Sequence, residues 1–102
     1  GNEKPRGYSV YYYNEEGKEF ADYVAKFLEK QNHIPLRSVT PLERSGYLRL
    51  MSSLTPTILL HLGFITNPED AKALQSDSVL NELSELIADA VFDFSRRQID
   101  RG

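Results

Sequence analysis

The sequence predicts an α/β fold, a small mixed sheet with helices packed against it. Three observations carry that prediction. Thr57 to Leu62 is a continuous apolar run bounded by Pro56 and Gly63, the pattern of a strand covered on both faces. Residues 18–31 place Phe20, Val24, Phe27 and Leu28 along one stripe of a helix, with charged residues elsewhere. Leu80, Leu83, Ile87, Val91 and Phe94 recur at three- and four-residue steps, which predicts a second amphipathic helix.

In chain order, residues 1–7 are a polar, turn-rich lead-in. Tyr8 to Tyr13 is aromatic and β-branched, so it reads as a strand with both faces at least half covered. Asn14-Glu15-Glu16-Gly17 punctuates it, and the helix over 18–31 follows. Asp22 and Lys26 form an i,i+4 pair in the favourable order. Asn32 fits a C-cap, and Pro35 stops the helix. Leu36–Val39 predicts a short strand ended by Pro41, while Tyr47–Met51 fits either a strand or one helical turn. Asn67-Pro68-Glu69-Asp70 starts a short helix, with Asn67 as N-cap, Pro68 first, and two acids at the positive end of the dipole. Ala71, Ala73 and Leu74 should face inward. The last helix begins at Asp77 or Ser78 and should fray after Ser95.

Composition removes several function classes. A chain of 102 residues is one domain, 1–102. Hydrophobic residues at 40% and charged ones at 26% exclude a disordered chain. A net charge of −3 with no basic patch argues against nucleic acid as a partner. With no cysteine, there is neither a disulfide scaffold nor thiolate chemistry. The apolar run from Ile58 to Ile65 is too short to span a bilayer, and no leader peptide is read in the chain.

There is no phosphate loop, no nucleophile elbow and no histidine pair at metal-ligand spacing. His33 follows a helix end, where an imidazole is favourable against the dipole. His61 stands within the most apolar strand, so it is either a satisfied core histidine or one that faces a pocket. Tyr11, Tyr12 and Tyr13 read as sheet packing before a stacking platform. Arg96, Arg97 and Arg101 read as a solvated helix end.

One stretch is specific. Thr55-Pro56-Thr57-Ile58-Leu59-Leu60-His61-Leu62-Gly63-Phe64-Ile65-Thr66-Asn67-Pro68-Glu69-Asp70 resembles the signature of the zinc-dependent N-acetylmuramoyl-L-alanine amidases. In that family an apolar strand after a Pro ends in Glu, then an apolar residue, Gly-Phe, two residues, Asn and an acidic helix start. Arg6-Gly7-Tyr8-Ser9-Val10-Tyr11-Tyr12 is similar to the family's Arg-Gly-aromatic strand, and Tyr47-Leu48-Arg49 to its apolar-Arg segment. The resemblance runs from about Arg6 to Phe94. It implies a partial three-layer sandwich of the phosphorylase/hydrolase-like kind, matching the C-terminal half of the family domain.

The resemblance also implies what differs. The family's zinc is held by two His and one Glu that precede the Arg-Gly-aromatic strand, so no position here corresponds to a zinc ligand and no cofactor is expected in this chain. The family's catalytic Glu falls on His61. These departures imply a non-catalytic, amidase-like module of the cell envelope, periplasmic or extracellular, with peptidoglycan or an envelope protein as partner. The alternative is a fragment of an active zinc-dependent amidase. Binding candidates are His61, Asn67 and Arg49, and no residue is assigned a catalytic role. If His61 is a core residue, glutamate in its place would be a buried, unpaired carboxylate and would destabilise the fold. The strand at 57–62 has one free edge by this reasoning, which predicts a homodimer unless Leu36–Val39 or Tyr47–Met51 folds back to cover it.

Overall fold

Strand β1 (Tyr8–Tyr12) is central in a three-stranded sheet. A computed structural model describes residues 4–42 and 55–101 of the chain. Strand β2 (Leu36–Pro41) runs parallel to β1, and β3 (Ile58–His61) runs antiparallel on its other side. A parallel pair needs a crossover, and helix α1 (Glu15–Leu28) supplies it. Helices α2 (Pro68–Leu74) and α3 (Asp77–Arg101) complete the fold. The mixed α/β class is the one the sequence predicts.

Alternation along β1 decides which face is covered. Val10, fully buried, packs with Ala21, Val24 and Leu28 of α1, and half-buried Tyr12, Val39, Ile58 and Leu60 join that core. Ser9 and Tyr11 belong to the opposite face, as do their cross-strand neighbours Ser38, Thr40, Leu59 and His61. Helix α1 contacts all three strands, and α3 packs on α1 and α2. Phe94 seals the two long helices by stacking on Phe20 at 4.8 Å and meeting Tyr23 edge-on at 5.8 Å.

Several boundaries differ from the sequence expectation. Helix α1 begins at Glu15 because Asn14 is an extended N-cap whose side chain accepts from the Gly17 N–H at 2.9 Å. It ends at Leu28 because buried Gln31 shapes the turn. Gln31 Nε2 donates to the Leu28 and Ile34 carbonyls at 3.0 and 2.6 Å, while Oε1 accepts from the His33 and Ile34 N–H groups. Asn32 is therefore not the cap. Helix α3 does not fray after Ser95. Arg97 lies over the Tyr23 ring at 5.3 Å and Arg101 pairs with Glu19 at 2.7 Å, so the basic end is held against α1. Val91 is exposed; Val79, Leu83, Ala90 and Phe94 fill the buried arc, at steps that follow the helical period. In α2, Asp70 and Ala73 are the buried residues, with Ala71 and Leu74 half-buried. The strand at 57–62 is shorter than expected, and Ile58, Leu59 and Leu60 are half-buried, not covered on both faces.

Tyr8 yields a pH prediction. It is 2% exposed, and its hydroxyl donates to the Ala25 carbonyl at 3.2 Å. Burial, then the Glu29 charge, pushes the phenol from 10.0 up to about 12. Below pH 10 the ring is protonated in both states and its contribution is constant. Between pH 10 and about 12 only the unfolded chain ionises it, so stability falls across that window. Urea titrations from pH 9 to 12 should show that loss, and Tyr8→Phe should flatten it. An unchanged slope in the variant would assign the loss to other groups.

Candidate functional site

The candidate site lies at the carboxyl end of β3 and is organised by a residue the sequence reading passed over. The sequence places Asp70 only as one of two acids at the positive end of the α2 dipole. It is fully buried. Its Oδ2 accepts from the Gly7 N–H at 2.8 Å and the Phe64 N–H at 3.1 Å, and Oδ1 accepts from Arg6 Nε at 3.1 Å. Arg6 also pairs with Glu69 and donates to the His33 carbonyl at 3.1 Å. One carboxylate thus joins the start of β1, the turn after β3 and the first turn of α2. A buried carboxylate is stable only when its lone pairs are filled in this way.

Two glycines make the approach possible. Gly7 has φ of +108°, a conformation that L side chains rarely adopt. A Cβ there would sit 2.7 Å from the Pro35 carbonyl oxygen and 3.1 Å from the Arg37 Cβ. At Gly63 a Cβ would meet Asp70 Oδ2 at 3.1 Å.

His61 ends β3 opposite Ser9, and its side chain is exposed. Of the two readings of His61, core or pocket-facing, the structure removes the first: the strand ends at this residue, so no desolvation has to be compensated. The ring meets Phe64 edge-on, with centroids 4.8 Å apart. On the same phenyl ring lies the Arg37 guanidinium, 5.1 Å from its centroid. Arg37 reaches it through an irregularity in the β1–β2 pairing. Tyr8 pairs with Leu36 and Ser9 with Ser38, which leaves Arg37 as the extra residue of a bulge. Ser38 Oγ donates to Ser9 Oγ at 3.2 Å, so Ser38, Ser9 and His61 form one row across the sheet.

The other candidates fall elsewhere. Asn67 caps α2, its side-chain oxygen accepting from the Glu69 and Asp70 N–H groups at 2.9 and 3.1 Å. Arg49, with the segment Tyr47–Met51, lies outside the described residues. His33 pairs with Glu82 of α3 at 2.8 Å. The three tyrosines alternate sides and form no single platform, since Tyr12 joins the core and Tyr13 is exposed. A zinc site needs three or four converging donors. Among the described residues no three His, Cys, Asp or Glu side chains converge. The described donors, with His33 on Glu82 and His61 against Phe64, do not fit that ion.

The sequence profile of the N-acetylmuramoyl-L-alanine amidases matches residues 1–93. Among solved structures, the amidase AmiC2 of Nostoc punctiforme is similar at 28% identity and a TM-score of 0.78, with 94% of this chain aligned to 53% of that one. The catalytic domain of CwlV, an amidase from Bacillus (Paenibacillus) polymyxa var. colistinus, aligns at 21% identity and a TM-score of 0.78, covering 94% of this chain and 52% of that one. The CwlD amidase of Clostridioides difficile, solved in complex with the GerS lipoprotein, aligns at 20% identity and a TM-score of 0.74, covering 91% and 48%. The latter two likenesses speak to the fold alone. The chain spans about half the length of these solved relatives. Among curated proteins no match is found.

Proposed function

The chain belongs to the N-acetylmuramoyl-L-alanine amidase family, and from that premise we propose that it is a non-hydrolytic module that recognises peptidoglycan at the cell envelope. The observation that carries this reading is the imidazole at the end of β3. The signature resemblance puts a carboxylate general base at position 61, and loss of a positioned general base costs roughly two to four orders of magnitude in rate. His61 packs against Phe64, and no set of metal donors converges among the described residues. The CwlD amidase is solved in complex with a lipoprotein, and an envelope protein is the second class of partner in this proposal. No helix among the described residues is long and apolar enough to cross a membrane.

A second reading has its own support. The chain spans about half of its solved relatives, which favours a piece of a longer, zinc-dependent amidase. Activity of a longer polypeptide that keeps His61 would select it.

Peptidoglycan sacculi test the proposal directly. The purified chain should co-sediment with them, bind no stoichiometric zinc and release no peptide. His61→Glu should also release none. Because His61 is exposed, that variant should stay within about 0.5 kcal/mol of the parent, in place of the destabilisation a core position would bring. Peptide release by either protein would overturn the non-hydrolytic reading, and failure to co-sediment would overturn the ligand.

The outer edge of β3 has no strand partner among the described residues, and β2 pairs with the far side of β1, so Leu36–Val39 does not cover it. A two-fold pairing through β3 would satisfy that edge. Sedimentation at micromolar concentration should give a dimer; a clean 11.7 kDa species would exclude it and favour Tyr47–Met51, outside the described residues, folding back over the edge.

A further inference from the structure

We propose that Arg37, Phe64 and His61 form a site for a small carboxylate-bearing ligand, held ready by the bulge in the β1–β2 pairing and by the Asp70 clasp. The inference rests on the reading above for its biological setting, and names the chemistry that the same end of β3 selects.

The chain carries a net charge of −3, yet the exposed groups around Phe64 are a guanidinium and an imidazole. The neighbouring acids are already engaged, since Arg6 takes both Glu69 and Asp70. Arg37 has no carboxylate partner among the described residues. Its described contact is the phenyl ring of Phe64 at 5.1 Å. Stacking on a ring holds a guanidinium in place and leaves N–H groups free for a planar anion. The edge-on imidazole at 4.8 Å stands on the same ring and adds a second polar group for the ligand. Where the family signature has a carboxylate, this chain presents groups that attract one.

The geometry is built by tertiary contacts. Regular pairing of β1 and β2 would give Arg37 a partner on β1; the bulge releases it, and bulges re-aim side chains in this way. Gly7 lets the backbone pass closely enough for the bulge, since any Cβ there would meet Pro35 and Arg37. The Asp70 carboxylate ties Gly7 to Phe64, so the strand that carries the bulge and the ring that Arg37 covers are held by one group. Few rotamers need to be frozen on binding, which is what preorganisation contributes to affinity.

Two sources offer such a free carboxylate: the lactyl group of a muramic acid that carries no peptide, and a peptide. Isotope-labelled protein, titrated with N-acetylmuramic acid, with an alanyl-glutamate dipeptide and with the methyl esters of both, separates these sources. The Arg37 Nε–H, the Phe64 ring and the His61 ring should shift together and saturate with at least one free acid. The esters should bind about tenfold more weakly or worse, because the charge-assisted bidentate contact is lost. Arg37→Ala should weaken the acid by about tenfold or more, and Arg37→Lys should restore only part, since a point charge replaces a fork. Arg96→Ala, remote on α3, should change nothing. Equal binding of acids and esters, shifts elsewhere, or an indifferent Arg37→Ala overturns the site. Sacculi retained by the Arg37→Ala protein, with no acid bound by the parent, would overturn this inference and leave the peptidoglycan reading standing; acids bound without sacculi would do the reverse.

Discussion

Asp70→Ala should destabilise the fold by about 3–5 kcal/mol, the range for removing one partner of a buried charge pair. Three donors lose their acceptor in that variant: the Gly7 and Phe64 N–H groups and Arg6 Nε. Asp70 is fully buried, so water cannot replace the carboxylate without opening the junction of β1, β3 and α2. A domain of this size has a margin of about 5–15 kcal/mol, so the variant should be partly unfolded at moderate urea. Asp70→Asn keeps the shape and one acceptor oxygen but places an NH2 against donors, and should fall between alanine and the parent. Urea midpoints at constant m-value measure both. A loss under about 1 kcal/mol for the alanine variant would mean that the three donors find other partners.

Gly7→Ala should cost about 2–4 kcal/mol, from backbone strain and overpacking together. With φ at +108°, the alanine must either hold a conformation rare for L residues or rotate away and pull its N–H off Asp70. Its methyl would also meet the Pro35 carbonyl oxygen at 2.7 Å, a backbone atom that cannot swing aside. Arg37 lies just beyond at 3.1 Å, so the same change should move the guanidinium from Phe64. The expected result is a lower urea midpoint together with altered ring shifts for Phe64. Parent-like stability would show that the chain relaxes around position 7 at little cost. Gly7 and Asp70 share a hydrogen bond, so the double variant should lose less than the two single losses combined.

The sequence by itself determined the fold class, the placing of β1, α1, β3, α2 and α3, the N-cap at Asn67 and the signature that gave the family. Those features are written in period and in local chemistry: an apolar run, stripes at helical spacing, an Asn-Pro start. Each is settled within about a dozen neighbouring residues. The imidazole at position 61 was legible in the same way, because a signature fixes which residue departs from it. What the sequence could not give is which face or fate each side chain meets. Asp70 satisfies every local rule for an exposed helix-start acid, and only Arg6, Gly7 and Phe64, brought from distant positions, turn it into a buried clasp. His61 reads as either a core or a pocket-facing residue until the strand is seen to end there. Arg37 carries no signal at all, because a bulge is a property of two strands in register and neither strand records it alone. The tail at Arg97 and Arg101 looks like a fraying end until Tyr23 and Glu19 meet it. The physical reason is common to Asp70, Arg37 and the basic tail: hydrogen bonds, ion pairs and ring contacts between segments far apart in sequence depend on where the whole chain has folded, and local periodicity contains no term for them.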